Sequence, residues 1–262
     1  MDHDTTKNLV REDGIIENMQ AILYLFGAGL WGMALFMSLK VKESEKKRRI
    51  FYVLFLVLFL FFFFEEISWG QRFFGFSTPE SLREVNIQDE TNIHNIGILN
   101  SGIWFYILMT IFLLGILFPF LKLGSKKVTE FFERIKFPVI HHDLIACFGI
   151  SLSFYSYQGF FWEIPLRIIV YILPIILILS GKLRYIFDNF KYPLIQFFAV
   201  LIIGFLVIAI NINLDTADYL SDNIAFEIRE LLIAMALFFF SAYEAYGAWK
   251  RKKDVATQDI QS

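Results

Sequence analysis

The chain has 262 residues, of which 56% are hydrophobic and 18% aromatic, and its net charge is −2. A soluble domain averages ~45–50% apolar residues, so the arrangement of the apolar residues matters more than their total. The one cysteine, Cys147, excludes an internal disulfide and a CxxC metal site.

The first 17 residues are polar and acidic, without the basic start and short apolar core of a cleavable signal. The apolar segment that follows therefore reads as a retained membrane helix. Runs near the ~18 residues needed to cross ~30 Å of hydrocarbon recur from there on. The expected spans are 17–40, 50–73, 102–121, 142–158, 165–181, 193–211 and 225–248. A membrane barrel would show ~10-residue alternation instead, and Ile50 to Phe64 is apolar throughout. The fold class is thus all-α: a polytopic transmembrane bundle of about seven spans, forming one integral membrane domain over residues 1–262.

Orientation follows from the basic residues. Lys40–Arg49 carries six, Lys122–Lys136 five, Lys182–Lys191 three and Lys250–Lys253 four, so 18 of 24 fall on one side, taken as the cytoplasm. By the same assignment 17 of 26 acids lie outside. The N-terminal segment 1–16 is then external, and the tail 249–262 is cytoplasmic. A bacterial cytoplasmic membrane is the expected location, with the lipid bilayer as partner. No glycine loop suits a nucleotide, and the basic loops read as topology signals, so no nucleic acid is expected.

The stretch dense in chemistry begins at Glu65-Glu66 and continues through Ser68, Trp69, Gln71 and Arg72 into the external loop 74–101. A helix entering at Ile50 places Glu65 roughly 22 Å along its axis. A charge at the bilayer centre costs on the order of 2.5–3.5 kcal/mol, and such residues usually mark function. Helical spacing puts Glu65, Ser68, Trp69 and Arg72 on one face. The outer ends of later spans add Arg167, and Arg229 between Glu227 and Glu230. A purely structural network of these arginines with Glu65 and Glu66 is the alternative reading.

Ser77 or Thr78 with Pro79 and Glu80 predicts a short helix start. From Asn86 every second residue is polar: Asn86, Gln88, Glu90, Asn92 and His94, with Asn95 following. Extended, they line one face; helical, Glu90 and His94 meet at i, i+4. Either way a carboxylate lies near an imidazole, which suits acid–base work or a divalent metal held by Glu65, Glu66 and His94. A merely well-ordered polar loop remains open. Glu244, near the inner end of the last span, is expected to snorkel or pair with tail lysines, and the Phe run before Glu65 to serve as lipid-facing bulk or packing.

The pattern EEISWGQR, then TPE, then N-x-Q-x-E-x-N-x-HN, with EDGxxE from Glu12 to Glu17, resembles a group of uncharacterised bacterial multi-spanning membrane proteins. That resemblance covers about a fifth of the chain and implies no activity. In helix count and placement of the termini the chain is also similar to seven-helix zinc hydrolases of the alkaline ceramidase type. Those enzymes use three histidines, two in an HxxxH pair late in the chain. The last span here has no histidine, so the similarity is one of architecture.

The function expected from these residues is a membrane-embedded enzyme with an outward-facing site for a lipid or lipid-linked substrate. Glu65, Glu66, Glu90 and His94 would be its acid–base groups. Trp69, Gln71, Arg72, Asn86, Gln88, Asn92, Asn95, Arg167 and Arg229 would bind substrate, Arg72 through a phosphate. A proton-coupled carrier, or an assembly partner in a membrane complex, are the competing classes.

Overall fold

The computed structural model describes residues 14–41, 45–84, 91, 106, 109–141, 144–153 and 219–261. Every regular element among them is helical. The expected spans 165–181 and 193–211 lie outside the described residues, and 102–121 and 142–158 lie partly outside.

Helix α1 is Ile15–Leu39, with Glu17 in its first turn, where the helix dipole favours an acid. Its end is capped from the next helix. Arg49 donates from Nη2 to the carbonyls of Ser38 and Val41, each at 2.8 Å, and from Nε to Ser38 at 3.2 Å. A guanidinium there satisfies terminal carbonyls that have no helical donor. Helix α2, Lys46–Glu66, follows after a short connection.

The expected span 50–73 is not one continuous helix. Ser68, Trp69 and Gly70 have φ of 47°, 54° and 87°, three successive left-handed residues that a right-handed helix cannot include. Helix α2 therefore ends at Glu66, and the single face shared by Glu65, Ser68, Trp69 and Arg72 is broken. A short α3, Gln71–Phe74, closes at Gly75 (φ 66°), and α4, Glu80–Arg83, starts directly after Pro79.

Helix α5, Met109–Gly124, widens into a π-turn over Phe112–Leu117, just before Pro119. Proline has no N–H for the carbonyl four residues back and crowds it sterically; a local widening relieves both. Helix α6, Lys126–Ile135, is amphipathic. It is tied to the end of α5 by the Thr129 hydroxyl, which donates to Lys122 O at 2.8 Å. Helix α7 is Ile145–Ser153 and α8 is Tyr219–Gln261. At 1.5 Å per residue, the 43 residues of α8 extend about 64 Å.

The chain divides into two compact units, with α8 passing from one to the other between Ala236 and Leu237. In the unit holding α1, α2 and the later part of α8, the core is aromatic. Trp31 is fully buried, stacked on Phe55 at 4.7 Å, with Phe240 edge-on at 5.1 Å and Tyr52 at 5.6 Å. Gly27 lets Phe59 approach α1, since a Cβ there would run into the ring. In the other unit Gly115, within the π-turn, does the same for Phe148 of α7: a Cβ would lie 2.6 Å from the ring.

Large apolar side chains also cover the surface of these helices. On α1 the exposed face carries Met19, Ile22, Phe26, Met33 and Phe36, while Gln20 and Ser38 are buried. On α2 it carries Ile50, Leu54, Val57, Phe61 and Phe64, and on α8 Met235, Phe239, Tyr243 and Tyr246. Buried Ser38, Ser151 and Ser241 turn their hydroxyls back onto carbonyls of their own helices, at 2.6, 2.8 and 2.6 Å. Among the described residues Ile15–Leu39 and Arg229–Thr257 are long and apolar enough to cross a membrane.

Candidate functional site

The left-handed turn after Glu66 organises the first polar site. Glu65, on the last turn of α2, is only 6% exposed. The turn brings Trp69 back over it, so that the indole Nε1–H donates to Glu65 Oε1 at 2.5 Å. The same indole stacks on Phe64, 5.6 Å between centroids, and meets the edge of Phe61. A hydrogen bond from a neutral donor to a buried carboxylate is of the charge-assisted kind, roughly twice the strength of a neutral pair. Non-glycine residues at positive φ cost of order 1–3 kcal/mol each and collect at functional sites. Two of them, Ser68 and Trp69, stand side by side here.

Gln71 follows the turn and uses both ends of its amide. Its Nε2 donates to Thr78 Oγ1 at 2.9 Å, and its Oε1 accepts from the Thr91 backbone N–H at 2.8 Å and from the Thr91 hydroxyl. One side chain thus joins α3 to both ends of the following segment. Thr78 stands just before Pro79 and α4, and its hydroxyl accepts from Gln71. Gln71, expected to contact substrate, is in this structure an internal clamp.

Of the other expected site residues, Glu66 is half-buried and has interactions of its own. Asn86, Gln88, Glu90, Asn92, His94, Asn95 and Arg167 lie outside the described residues, as does the side chain of Arg72. Arg229 is buried, in the unit that does not contain Glu65, and it, Glu227 and Glu230 all have partners. Among the described residues no three His, Cys, Asp or Glu side chains converge in a way that could hold a metal ion. The proposed set of Glu65, Glu66 and His94 includes a residue outside them.

A second polar site, which the sequence reading missed, lies at the opposite end of α2. Arg48 reaches Glu45 at 2.9 Å, Glu244 of α8 at 3.9 Å and Glu133 of α6 at 4.0 Å. Arg251, two turns beyond Glu244, reaches Glu45 at 3.8 Å and Glu244 at 4.0 Å. Tyr52 bridges them: its hydroxyl accepts from Arg251 Nη2 at 2.6 Å and donates to Glu244 Oε2 at 3.1 Å. Burial works against the charge on Arg48, but Glu244, Tyr52, Glu45 and Glu133 together hold its guanidinium above the ordinary pKa. Glu244 was expected to snorkel or to pair with tail lysines; it meets Arg48, Tyr52 and, in the tail, Arg251. The spacing of Glu244 and Arg251, seven apart on one helical face, was the available signal. The KKRR run masked Arg48 as a topology marker.

The Phe run of α2 divides by face. Phe55 and Phe59 are core, whereas Phe61 and Phe64 are exposed beside Trp69. No protein-family model, curated protein or solved structure matches this chain.

Proposed function

We propose that this chain is a multi-pass membrane protein with about seven spans, N-terminus outside, whose site at the Glu65 turn acts on a lipid or lipid-linked substrate. The membrane reading is supported by the exposed apolar faces of α1, α2 and α8. Contiguous apolar stripes of that length on a water-facing surface would be far larger than a soluble monomer normally tolerates. Hydrocarbon removes that penalty, and helices satisfy their backbone within it. The orientation rests on the basic segments, which this reading places in the cytoplasm of a bacterial cell.

One observation carries the site: a buried carboxylate held by an indole N–H against two adjacent non-glycine residues in the left-handed region. Strain of this kind persists where a fixed geometry has a use. Glu65 is the proton acceptor in this reading, with Glu66, Glu90 and His94 supplying the second acid–base partner and Arg72 a phosphate contact. Exposed Trp69, Phe73, Phe74 and Phe76 at the same end supply an apolar approach for acyl chains.

The test compares lipid extracts, by mass spectrometry, from cells expressing wild type, Glu65→Gln or His94→Ala at equal levels. A lipid species that depends on the wild type and not on either variant is expected. Identical extracts from all three would remove the enzyme reading. The ion network around Arg48 favours a second reading, an assembly partner within a membrane complex, because its visible role is to hold helices together.

A further inference from the structure

The exposed apolar stripes of α1 and α8 each end in a cation seated on an aromatic ring. On α1, Lys40 Nζ lies 4.9 Å from the centroid of Phe36. On α8, Lys253 Nζ lies 5.6 Å from the ring of Trp249, and that ring stacks on Tyr246 at 5.7 Å. Tyr246 and Trp249 are exposed, as are Lys40, Lys47, Lys250 and Lys253. The bonds from Tyr52 to Glu244 and from Arg251 to Tyr52 bring this stretch of α8 beside the start of α2. The short connection from α1 to α2 brings Lys40 there as well.

Charge at this end is sorted by depth. The carboxylates of Glu45 and Glu244 turn inward and meet Arg48 and Arg251. Among the described residues none of Lys40, Lys47, Lys250 and Lys253 forms an ion pair. Among the described residues these four rim lysines thus stand outside any ion pair, directly beyond an apolar surface edged with Trp and Tyr. Amphipathic rings settle at headgroup level, and lysines within reach of the surface are drawn to anionic lipid.

We infer that this rim, Phe36/Lys40 with Lys47 and Tyr246/Trp249/Lys250/Lys253, is a binding belt for anionic phospholipid headgroups. The inference rests on the membrane reading above but not on the Glu65 site. Zwitterionic headgroups carry their own ammonium, which would face these lysines unfavourably. Phosphatidylglycerol-type headgroups present the phosphate without it.

The test uses purified full-length protein in neutral detergent, with thermal unfolding followed on adding phosphatidylglycerol, phosphatidylcholine or inorganic phosphate. Phosphatidylglycerol is expected to raise the midpoint of the wild type, phosphatidylcholine and free phosphate are not, and the rise is expected to shrink as salt screens the charges. The quadruple substitution Lys40→Gln, Lys47→Gln, Lys250→Gln, Lys253→Gln is expected to lose the rise, and the four corresponding Lys→Arg changes to keep it. A rise that survives the Gln substitutions, or one equal for phosphatidylcholine, overturns the inference. If the Gln variant does not accumulate, a wild-type rise insensitive to salt overturns it equally. Resistance of the wild type to alkaline carbonate extraction tests the membrane reading separately, and Glu65→Gln should show the full phosphatidylglycerol effect.

Discussion

The two ends of α2 solve the same problem, a buried acid, in different ways. At the Lys46 end Glu45 and Glu244 are met by two guanidiniums and a tyrosine hydroxyl, contributed by two helices. At the Glu66 end, Glu65 is met by the indole of a residue only four positions away, presented by backbone in a left-handed conformation. The first arrangement ties distant segments together, and losing a member would expose the rest to uncompensated burial. The indole bond is local, and it holds one carboxylate in a fixed orientation at the cost of strain.

Substitutions can break or sharpen that contrast. The largest effect is expected from Arg48→Met, which leaves Glu45 and Glu244 short of a partner. Thermal or denaturant unfolding in detergent should show a loss approaching the ~3–5 kcal/mol typical of a broken buried pair. Glu65→Gln should lose less than Arg48→Met, because the amide oxygen still accepts from Trp69. If it instead falls as far as Arg48→Met, the two ends are equivalent and the contrast fails.

Next in size are the glycine contacts. Gly27→Ala and Gly115→Ala each place a methyl group into a phenylalanine ring, with an expected cost of about 1–3 kcal/mol by the same unfolding measurement. A smaller loss, about 1.5 kcal/mol, is expected for Trp69→Phe. It keeps the ring stacked on Phe64 and removes the donor to Glu65. Its effect on lipid extracts should match that of Glu65→Gln if the indole fixes a working carboxylate. The smallest change, of order 1 kcal/mol, is expected for Ser68→Gly, which relieves left-handed strain. A gain in stability together with altered lipid extracts would mark the strain as functional. A gain in stability alone would mark it as incidental.

The helical class was legible, as were the spans at 17–40 and 225–248, because they depend on local sequence. The apolar run from Ile50 to Phe64, framed by KKRR and two glutamates, announces a helix of that length. The break after Glu66 was not legible. Ser68 and Trp69 carry no signature of positive φ, and only Gly70 behind them hints at a turn. Extending the helical face from Glu65 to Arg72 therefore assumed a continuity that the backbone does not have. Glu65 and Trp69 still meet, through a tightened turn instead of a regular helix.

The Arg48–Glu244 ion pair, by contrast, needed tertiary information. Arg48 sits in a run of four basic residues, and nothing local distinguishes it from Lys47. Its partner Glu244 is 196 residues later, since 244 − 48 = 196. The sequence by itself determined the helical class, the helices at 17–40 and 225–248, and the concentration of polar groups around Glu65. These follow from apolar length and backbone hydrogen bonding, which neighbouring residues decide. Only the tertiary structure decided which acids are neutralised by which arginines, which face of the phenylalanine run is core, and where Gln71 spends its amide. Those outcomes depend on helices brought together from distant parts of the chain. A periodicity gives each side chain a face, but the neighbour on that face is chosen by packing.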